Sequence, residues 1–353
     1  MSKFIQIHFL TSYPPANLNR DDMGRPKSAK MGGVDRLRVS SQSLKRSWRT
    51  SDLFKSAMAG HIGTRTKELG HEVYLRLTEA QVKPKDAKSW AQAIAGVFGK
   101  LKSEDKTNPE KNEDLKIEQL CHISPEEWTA VLALVGILVV EKRAPTDDEL
   151  KLLRHSETAV DIALFGRMLA SSPLYNVDAA CQVSHAISVH PVVIEDDYFT
   201  AVDDLNKGID DVGAAHIGES GFASALFYTY ICIDKSLLVE NLGNDFELAN
   251  KAIGALIETA AKVAPEGKQN SFASRARASY IRVEKGDAQP RSLSVAFLKP
   301  VTGNNYGEDA IRILEKTVTN LEKVYGIEGL QTKTLDAFKG EGTLVDLLKF
   351  AQE

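Results

Sequence analysis

Residues 3–10 alternate, with Ile5, Ile7 and Phe9 on one face and Gln6 and His8 on the other, the pattern of a half-buried strand. Tyr13-Pro14-Pro15 is expected to stop it. From about residue 52 to 169 the period turns helical. Residues 89–101 are Ala-rich, and Ser124-Pro125-Glu126-Glu127 combines an N-cap serine, a proline at the first helical position and a capping-box glutamate. That signal launches an apolar helix through Val140, and 159–169 reads as another helix. Residues 83–118 read as polar and loop-rich, mobile or partner-facing. Strand-like sequence returns at 181–194 and 222–234. Between them, 195–221 is rich in Asp and Gly and reads as a long projecting loop or hairpin. A helix at 244–264, ended by Pro265, is followed by strands at 276–283 and 293–297, a helix at 309–324 and a short closing helix. The succession predicts an α+β sheet of the RRM or ferredoxin-like kind, with roughly 60–170 as a helical insertion. No internal repeat or low-complexity tract interrupts it.

At 353 residues, with 43% hydrophobic and 26% charged positions, the chain has an ordinary globular composition and enough length for a proper core. The three widely spaced cysteines, Cys121, Cys181 and Cys232, give no disulfide framework and fit a reducing compartment. The opening MSKFIQIHFL lacks the basic n-region and long apolar core of a signal peptide. The longest apolar run, 131–140, falls far short of the ~20 residues a membrane helix needs. The expectation is a cytoplasmic protein without a membrane partner.

Charge changes the picture. Residues 17–49 carry Arg20, Arg25, Lys27, Lys30, Arg36, Arg38, Lys45, Arg46 and Arg49 against Asp21, Asp22 and Asp35, nine minus three, or +6. The remainder then holds 35 basic against 45 acidic residues, or −10. Basic charge concentrated in one stretch is the footprint of a phosphate-binding surface. Within it, Ser40-Ser41-Gln42-Ser43 reads as a helix start with a serine N-cap. At ~100° per residue, Gln42, Lys45, Arg46 and Arg49 share one face, while Leu44 and Trp48 lie opposite and can enter a core. The free N–H groups of that helix start suit a phosphate, and the cationic face can continue the track. One solvated amphipathic helix would show the same face; the charge asymmetry and the Gly32-Gly33 turn favour nucleic acid.

The run LNRDD–MGG–R-L-R-V-S-S-Q-S-L-K-R resembles the N-terminus of the CasC-type backbone subunit of the type I-E CRISPR surveillance complex, Cascade. The resemblance extends over nearly the whole chain, more loosely in the C-terminal third. It implies an RRM-like palm (1–58, 180–194 and 222–353), a helical fingers insertion (59–179) and a projecting thumb hairpin (195–221). It further implies that copies stack along a CRISPR RNA, hold its backbone, and kink it so that the exposed segments pair with target DNA. Residue by residue it maps guide-RNA contacts onto Arg20, Lys27, Arg38, Ser40, Gln42, Lys45, Arg46 and Arg49. DIALFGRM, residues 161–168, implicates Met168 beside the kink. YFTAVDD at 198–204 and AHIG at 215–218 implicate Tyr198, Phe199 and Ile217 as wedges. Apolar and aromatic wedges suit the task because every base has a stackable face. Ordinary core placement is the alternative for Met168 and Phe199.

Asp35 lies among the arginines. The backbone subunits of related type III effectors cut target RNA with an aspartate in a comparable loop and a divalent metal. A metal-dependent endoribonuclease using Asp35 is therefore the alternative function, against a simple salt-bridge role. Lys142, Arg143, Lys151 and Arg154 form a second basic cluster that could steer duplex DNA or be a solvated helix face. Neither Cys181/His185 nor Cys121-His122 brings a second pair at structural-zinc spacing, so no metal site is expected. No phosphate-cradling loop, nucleophile elbow or H-E-x-x-H occurs, so no cofactor is expected. The reading is a non-catalytic subunit whose partners are CRISPR RNA, target DNA through the guide, further copies of itself and other Cascade subunits.

Overall fold

The computed structural model describes residues 2–105, 107–154, 158–201 and 216–353. The chain opens with β1 (Phe4–Ala16), the hairpin β2 (Ser28–Met31) and β3 (Val34–Val39), then α1 (Ser41–Thr50) and α2 (Asp52–Ala57). There follow β4 (Thr64–Thr66), α3 (Leu69–Glu79), α4 (Pro84–Phe98), β5 (Cys121–Ile123), α5 (Pro125–Glu141) and α6 (Val160–Phe165). Strands β6 (Cys181–Val183), β7 (Ala186–Ser188), β8 (Glu195–Ala201) and β9 (His216–Asp234) precede α7 (Lys235–Asn241), α8 (Phe246–Lys262) and α9 (Gln269–Phe272). The chain closes with β10 (Tyr280–Gly286), α10 (Tyr306–Tyr325), β11 (Gln331–Asp336) and α11 (Leu344–Gln352). Two compact units result: residues 1–55, 182–234 and 253–353, and residues 56–181 with 235–252. Residues 235–252, placed with the sheet in the sequence division, cluster with the helical unit. There Asn241 Nδ2 donates to the Ala163 and Asp178 carbonyls.

The first unit holds a sheet in the order β11-β10-β1-β9-β7-β3-β2, with β6 and β8 also pairing β9, and the fold class is α+β as expected. Its centre is β1, antiparallel to both β9 and β10. Both faces of β1 are covered, which corrects the half-buried reading. Ile5, Ile7 and Phe9 are buried, and so are Gln6, His8 and Leu10. Gln6 Oε1 and His8 Nδ1 tolerate burial because they are partnered, while His8 Nε2 makes no hydrogen bond among the described residues. Tyr230 Oη donates to Gln6 Oε1 at 2.8 Å, His8 Nδ1 lies 2.9 Å from Tyr228 Oη, and Arg282 and Arg291 hold buried Glu284. Burial opposes ionisation of Glu284, yet the nearby His8 ring, 3.9 Å away, and hydrogen bonds from Arg291 and Arg282 hold its carboxyl well below the usual carboxylate range. Burial likewise pushes the His8 imidazole below its ordinary value. One face of the sheet carries α10 and the 3-10 turn Ser294–Phe297 on Leu10, Tyr228 and Tyr280.

Several elements differ from the sequence expectation, each for a local reason. Strand β1 runs through Tyr13-Pro14-Pro15, because the prolines fall where its register against β9 shifts and no ladder donor is needed. The stretch 83–118 is not chiefly loop: α4 occupies its first half and drives Trp90, Ala91, Ile94 and Phe98 into the helical unit's core. Helix α6 stops at Phe165 because Gly166 adopts φ +81°. The 181–194 segment splits into β6 and β7. The strand expected at 276–283 is β10, shifted to Tyr280–Gly286. The strand expected at 293–297 is instead the 3-10 turn, whose Leu293, Ala296 and Phe297 spacing buries one helical side. Strand β11 (QTKTLD) was not anticipated: it lies at the sheet edge and is mostly exposed, so no apolar alternation marks it.

Candidate nucleic-acid interface

The basic stretch folds into the β2–β3 hairpin and α1. Gly32 and Gly33 make the hairpin turn at φ +63° and +81°. Gly32 is required twice over, since a Cβ there would sit 1.7 Å from the Leu298 carbonyl oxygen. Backbone bonds then draw the predicted contacts together: Lys27 N–H donates to Asn19 O at 2.8 Å, and Arg38 N–H to Lys27 O at 2.8 Å. Ser40 is the N-cap of α1, its Oγ accepting from Ser43 N–H, and its own N–H donates to Asn19 Oδ1 at 2.9 Å. Asn19 thus holds two of the predicted residues, Lys27 and Ser40, and Arg38 through Lys27, although it carries no charge.

Along α1, Leu44, Ser47 and Trp48 are buried, and Leu44 and Trp48 line a small internal void with Phe9, Tyr13, Val39 and Val263. The opposite side presents Gln42 and Arg46 to solvent, with Lys45 and Arg49 half-buried. Arg20 is exposed, bridging to Pro26 across its loop. With Ser43 and Arg46 it lines an open cavity of about 460 Å³, which Asp21, Asp22 and Glu266 also edge. His185 reports the local field. Desolvation, then the charges of Arg38 and Lys27, push its imidazole below the ordinary value, and its Nδ1 accepts Ser41 N–H at 3.0 Å.

Arg36 does not belong with these cations. It is fully buried, and its guanidinium donates to the Met31, Ser188 and Phe297 carbonyls at 3.3, 3.0 and 2.9 Å. This also removes the salt-bridge role expected of Asp35. That carboxylate is exposed on β3 and makes no ion pair among the described residues.

Strands β8 and β9 form the hairpin expected at 195–221, with Tyr198 opposite Glu219, Phe199 opposite Gly218 and Thr200 opposite Ile217. Tyr198 is 65% exposed and Phe199 42%, so neither is core. Gly218 makes room for the Phe199 ring, which would lie 2.3 Å from a Cβ at that position. The side chain of Ile217 and all of 202–215 lie outside the described residues. In the helical unit Met168 is 78% exposed, which excludes core placement. It lines a cavity of about 290 Å³ with Phe98, Ile117, Leu120 and Leu169. Its neighbour Arg167 is turned inward onto Glu127 at 2.7 Å.

The second basic cluster is largely neutralised from within. Arg143 pairs with Glu141 and Glu149, Lys151 pairs with Asp148, and Arg154 Nη1 donates to the Lys151 and Leu153 carbonyls. Lys142 is exposed as the left-handed C-cap of α5. Exposed pairs of this kind carry little free positive charge to a distant duplex. Among the described residues there is no group of three or more His, Cys, Asp or Glu side chains able to hold a metal, and no helix long and apolar enough to cross a membrane.

An antiparallel α+β sheet bearing a cation-faced helix beside an aromatic hairpin is the class this geometry defines. The family model Cas_CT1975, described as CT1975-like protein, matches residues 5–349, and the chain belongs to that family. It is similar to a chain of the solved structure "CRISPR RNA-guided surveillance complex, pre-nicking". The two share 28% identity and superpose with a TM-score of 0.83 over 99% of this chain and 100% of that one. A chain of another "CRISPR RNA-guided surveillance complex" shares the fold at 23% identity and a TM-score of 0.74, covering 99% of each. No curated protein matches by sequence.

Proposed function

We propose that this chain is the repeating, non-catalytic backbone subunit of a type I-E Cascade complex, working in the cytoplasm. Arg20, Lys27, Arg38, Ser40, Gln42, Lys45, Arg46 and Arg49 hold successive guide-RNA phosphates. The first unit acts as the palm, the helical unit as the fingers and the β8–β9 hairpin as the thumb. Tyr198, Phe199, Ile217 and Met168 kink the guide, leaving segments free to pair with target DNA. Phosphate contacts then position the guide while base pairing reads sequence. Copies pack head to tail, a heterologous contact that does not close on itself, beside the other subunits. The observation that carries the reading is the two-sided build of α1: Leu44 and Trp48 anchor it, so Gln42 and Arg46 face solvent on a rigid element, with Lys45 and Arg49 half-buried beside them. The near full-length likeness to a surveillance-complex chain supports it.

The test is co-expression with a CRISPR array and the partner subunits, purification by a tag on a partner, and sizing of the co-eluted RNA. Guide-length RNA with the native chain, lost or shortened with Lys45→Ala/Arg49→Ala, is the expected result; unchanged RNA refutes the phosphate track. The freed carboxylate of Asp35 keeps the nuclease reading open to a parallel assay. Target RNA cut in magnesium by the native complex but not by Asp35→Ala would replace the non-catalytic assignment.

A further inference from the structure

The segment 265–279 presents a second run of cations that charge counting along 17–49 did not include. It holds Lys268, Arg275 and Arg277 against Glu266, three positive charges to one negative. Arg275 and Arg277 are exposed, Lys268 is half-buried, and none of the three makes an ion pair among the described residues. The segment is fixed to the basic loop rather than hanging from it. Gly267 lies so close to the Asn17–Leu18 backbone that a Cβ would fall 2.2 Å from Leu18 O. Phe272 packs near Phe222 with ring centroids 6.1 Å apart, and Ala278 N–H and Ser279 N–H donate to the Ala261 and Leu10 carbonyls.

Anchored this way, Lys268 and Arg20 line one open cavity of about 300 Å³. Its other charged walls are Arg25, Asp196 and Glu219. Arg25 and Asp196 cancel in a 3.0 Å ion pair, which leaves two cations against Glu219. Floor carbonyls are already occupied: buried Asn17 donates through Nδ2 to both Gly24 O and Gly221 O at 2.9 Å. Lys268 also sits at φ +52° and Ala273 at φ +48°, left-handed conformations costing a non-glycine residue roughly 1–2 kcal/mol each. The surrounding packing holds the cation where its own backbone preference would not.

We propose that Lys268, together with Arg275 and Arg277, takes the phosphodiester backbone of the guide RNA as a continuation of the track beyond Arg20. This rests on the reading of the chain as a guide-holding subunit and extends the contact to a segment more than 200 positions away in sequence. A phosphate bridging Lys268 and Arg20 would satisfy both cations with charge-assisted hydrogen bonds. Three further contacts would add to affinity without adding sequence preference.

The test is a salt titration of the full chain binding a fluorescent single-stranded RNA. Each phosphate contact on a single strand contributes about 0.7 to the slope of log K against log salt. Lys268→Ala is expected to lower that slope by about 0.7 and weaken binding roughly tenfold at low salt, and Arg275→Ala/Arg277→Ala to lower it by about 1.4. Lys268→Arg should restore the slope, because it keeps the charge. If Lys45→Ala/Arg49→Ala lowers the slope while the Lys268 and Arg275/Arg277 variants leave it unchanged, this inference fails and the guide-holding function stands. If none of the variants changes the slope, both fail. Weaker binding with an unchanged slope and a lowered melting temperature would make Lys268 a structural residue and overturn the proposal.

Discussion

Arg36 offers the sharpest separation between holding the fold and holding a guide. By composition it is one of nine cations in the basic stretch; in the structure it is a fully buried pin joining the hairpin to β7 and to the 3-10 turn. Replacing it with methionine keeps apolar volume but deletes every guanidinium donor. The Ser188 and Phe297 carbonyls, bonded at 3.0 and 2.9 Å, lose a charged partner while buried. Each such loss costs about 1–3 kcal/mol, and the longer Met31 bond adds little, so the expected destabilisation is about 2–6 kcal/mol. At about 2 °C per kcal/mol for a chain of this size, the melting temperature should drop by roughly 4–12 °C. Arg36→Lys should recover little of this, since an ammonium on a flexible stem cannot span the separate carbonyls as the planar fork does. The salt slope of RNA binding by the folded fraction should not move, because Arg36 meets no phosphate. Lys45→Ala/Arg49→Ala is the contrasting case: a slope lower by about 1.4, with a smaller loss of stability than Arg36→Met. Calorimetry and the salt titration on the same preparations decide it. An Arg36→Met protein of native melting temperature but reduced slope would show that the guanidinium faces the guide, refuting the burial argument.

Two further outcomes follow from local geometry. Gly32→Ala should abolish the folded hairpin, since its Cβ would be driven into the Leu298 backbone, whereas Gly33→Ala meets nothing within 4 Å and should cost only about 1–2 kcal/mol for its positive φ; soluble yield and melting temperature of the pair check this. Stability should fall on acidification in two stages. Burial or desolvation lowers His8, His185 and His190 below 6.5 in the folded chain, so below that pH the unfolded chain binds protons the folded chain refuses. Glu284, depressed from 4.5, contributes stability above that value that is lost as pH falls further. A melting temperature that holds steady from about pH 7.5 to pH 5 would contradict the histidine assignments.

What was legible in the sequence is what local chemistry decides. The Ser40 cap, the two faces of α1 and the reciprocal capping box of Ser124 and Glu127 depend on neighbours within one turn, and all are present. Burial decided by distant partners was not legible. Arg36 and Arg38 share a strand face by alternation, yet one is covered by a turn 261 positions later and the other is not. Gln6 and His8 read as solvent-facing because nothing nearby announces Glu284 or Tyr230. The placement of Lys268 against the basic loop is not legible either, because it depends on Gly267 meeting Leu18, a contact without a sequence period. Met168, Tyr198 and Phe199 were implicated by the resemblance alone, and their side-chain exposure was the part that sequence could not supply.

The charge on the hairpin completes the division of labour. Its strands carry Glu195, Asp196, Asp197 and Glu219 beside Tyr198 and Phe199, so the element proposed to enter the guide is itself anionic. Carboxylates repel phosphates, and such a hairpin gains nothing from the electrostatic attraction that dominates nucleic-acid affinity. Its favourable contact must come from aromatic and apolar surface meeting a base, worth about 1–3 kcal/mol per stacked base. On the proposed function, affinity and geometry would fall to different surfaces, the cations of the basic strip to the guide backbone and the hairpin to a displaced base. The Arg25–Asp196 pair between them is about half exposed on both sides, so it is worth at most about 1 kcal/mol. The doubly donating, fully buried Asn17, rather than that ion pair, is what sets the hairpin base against the basic loop.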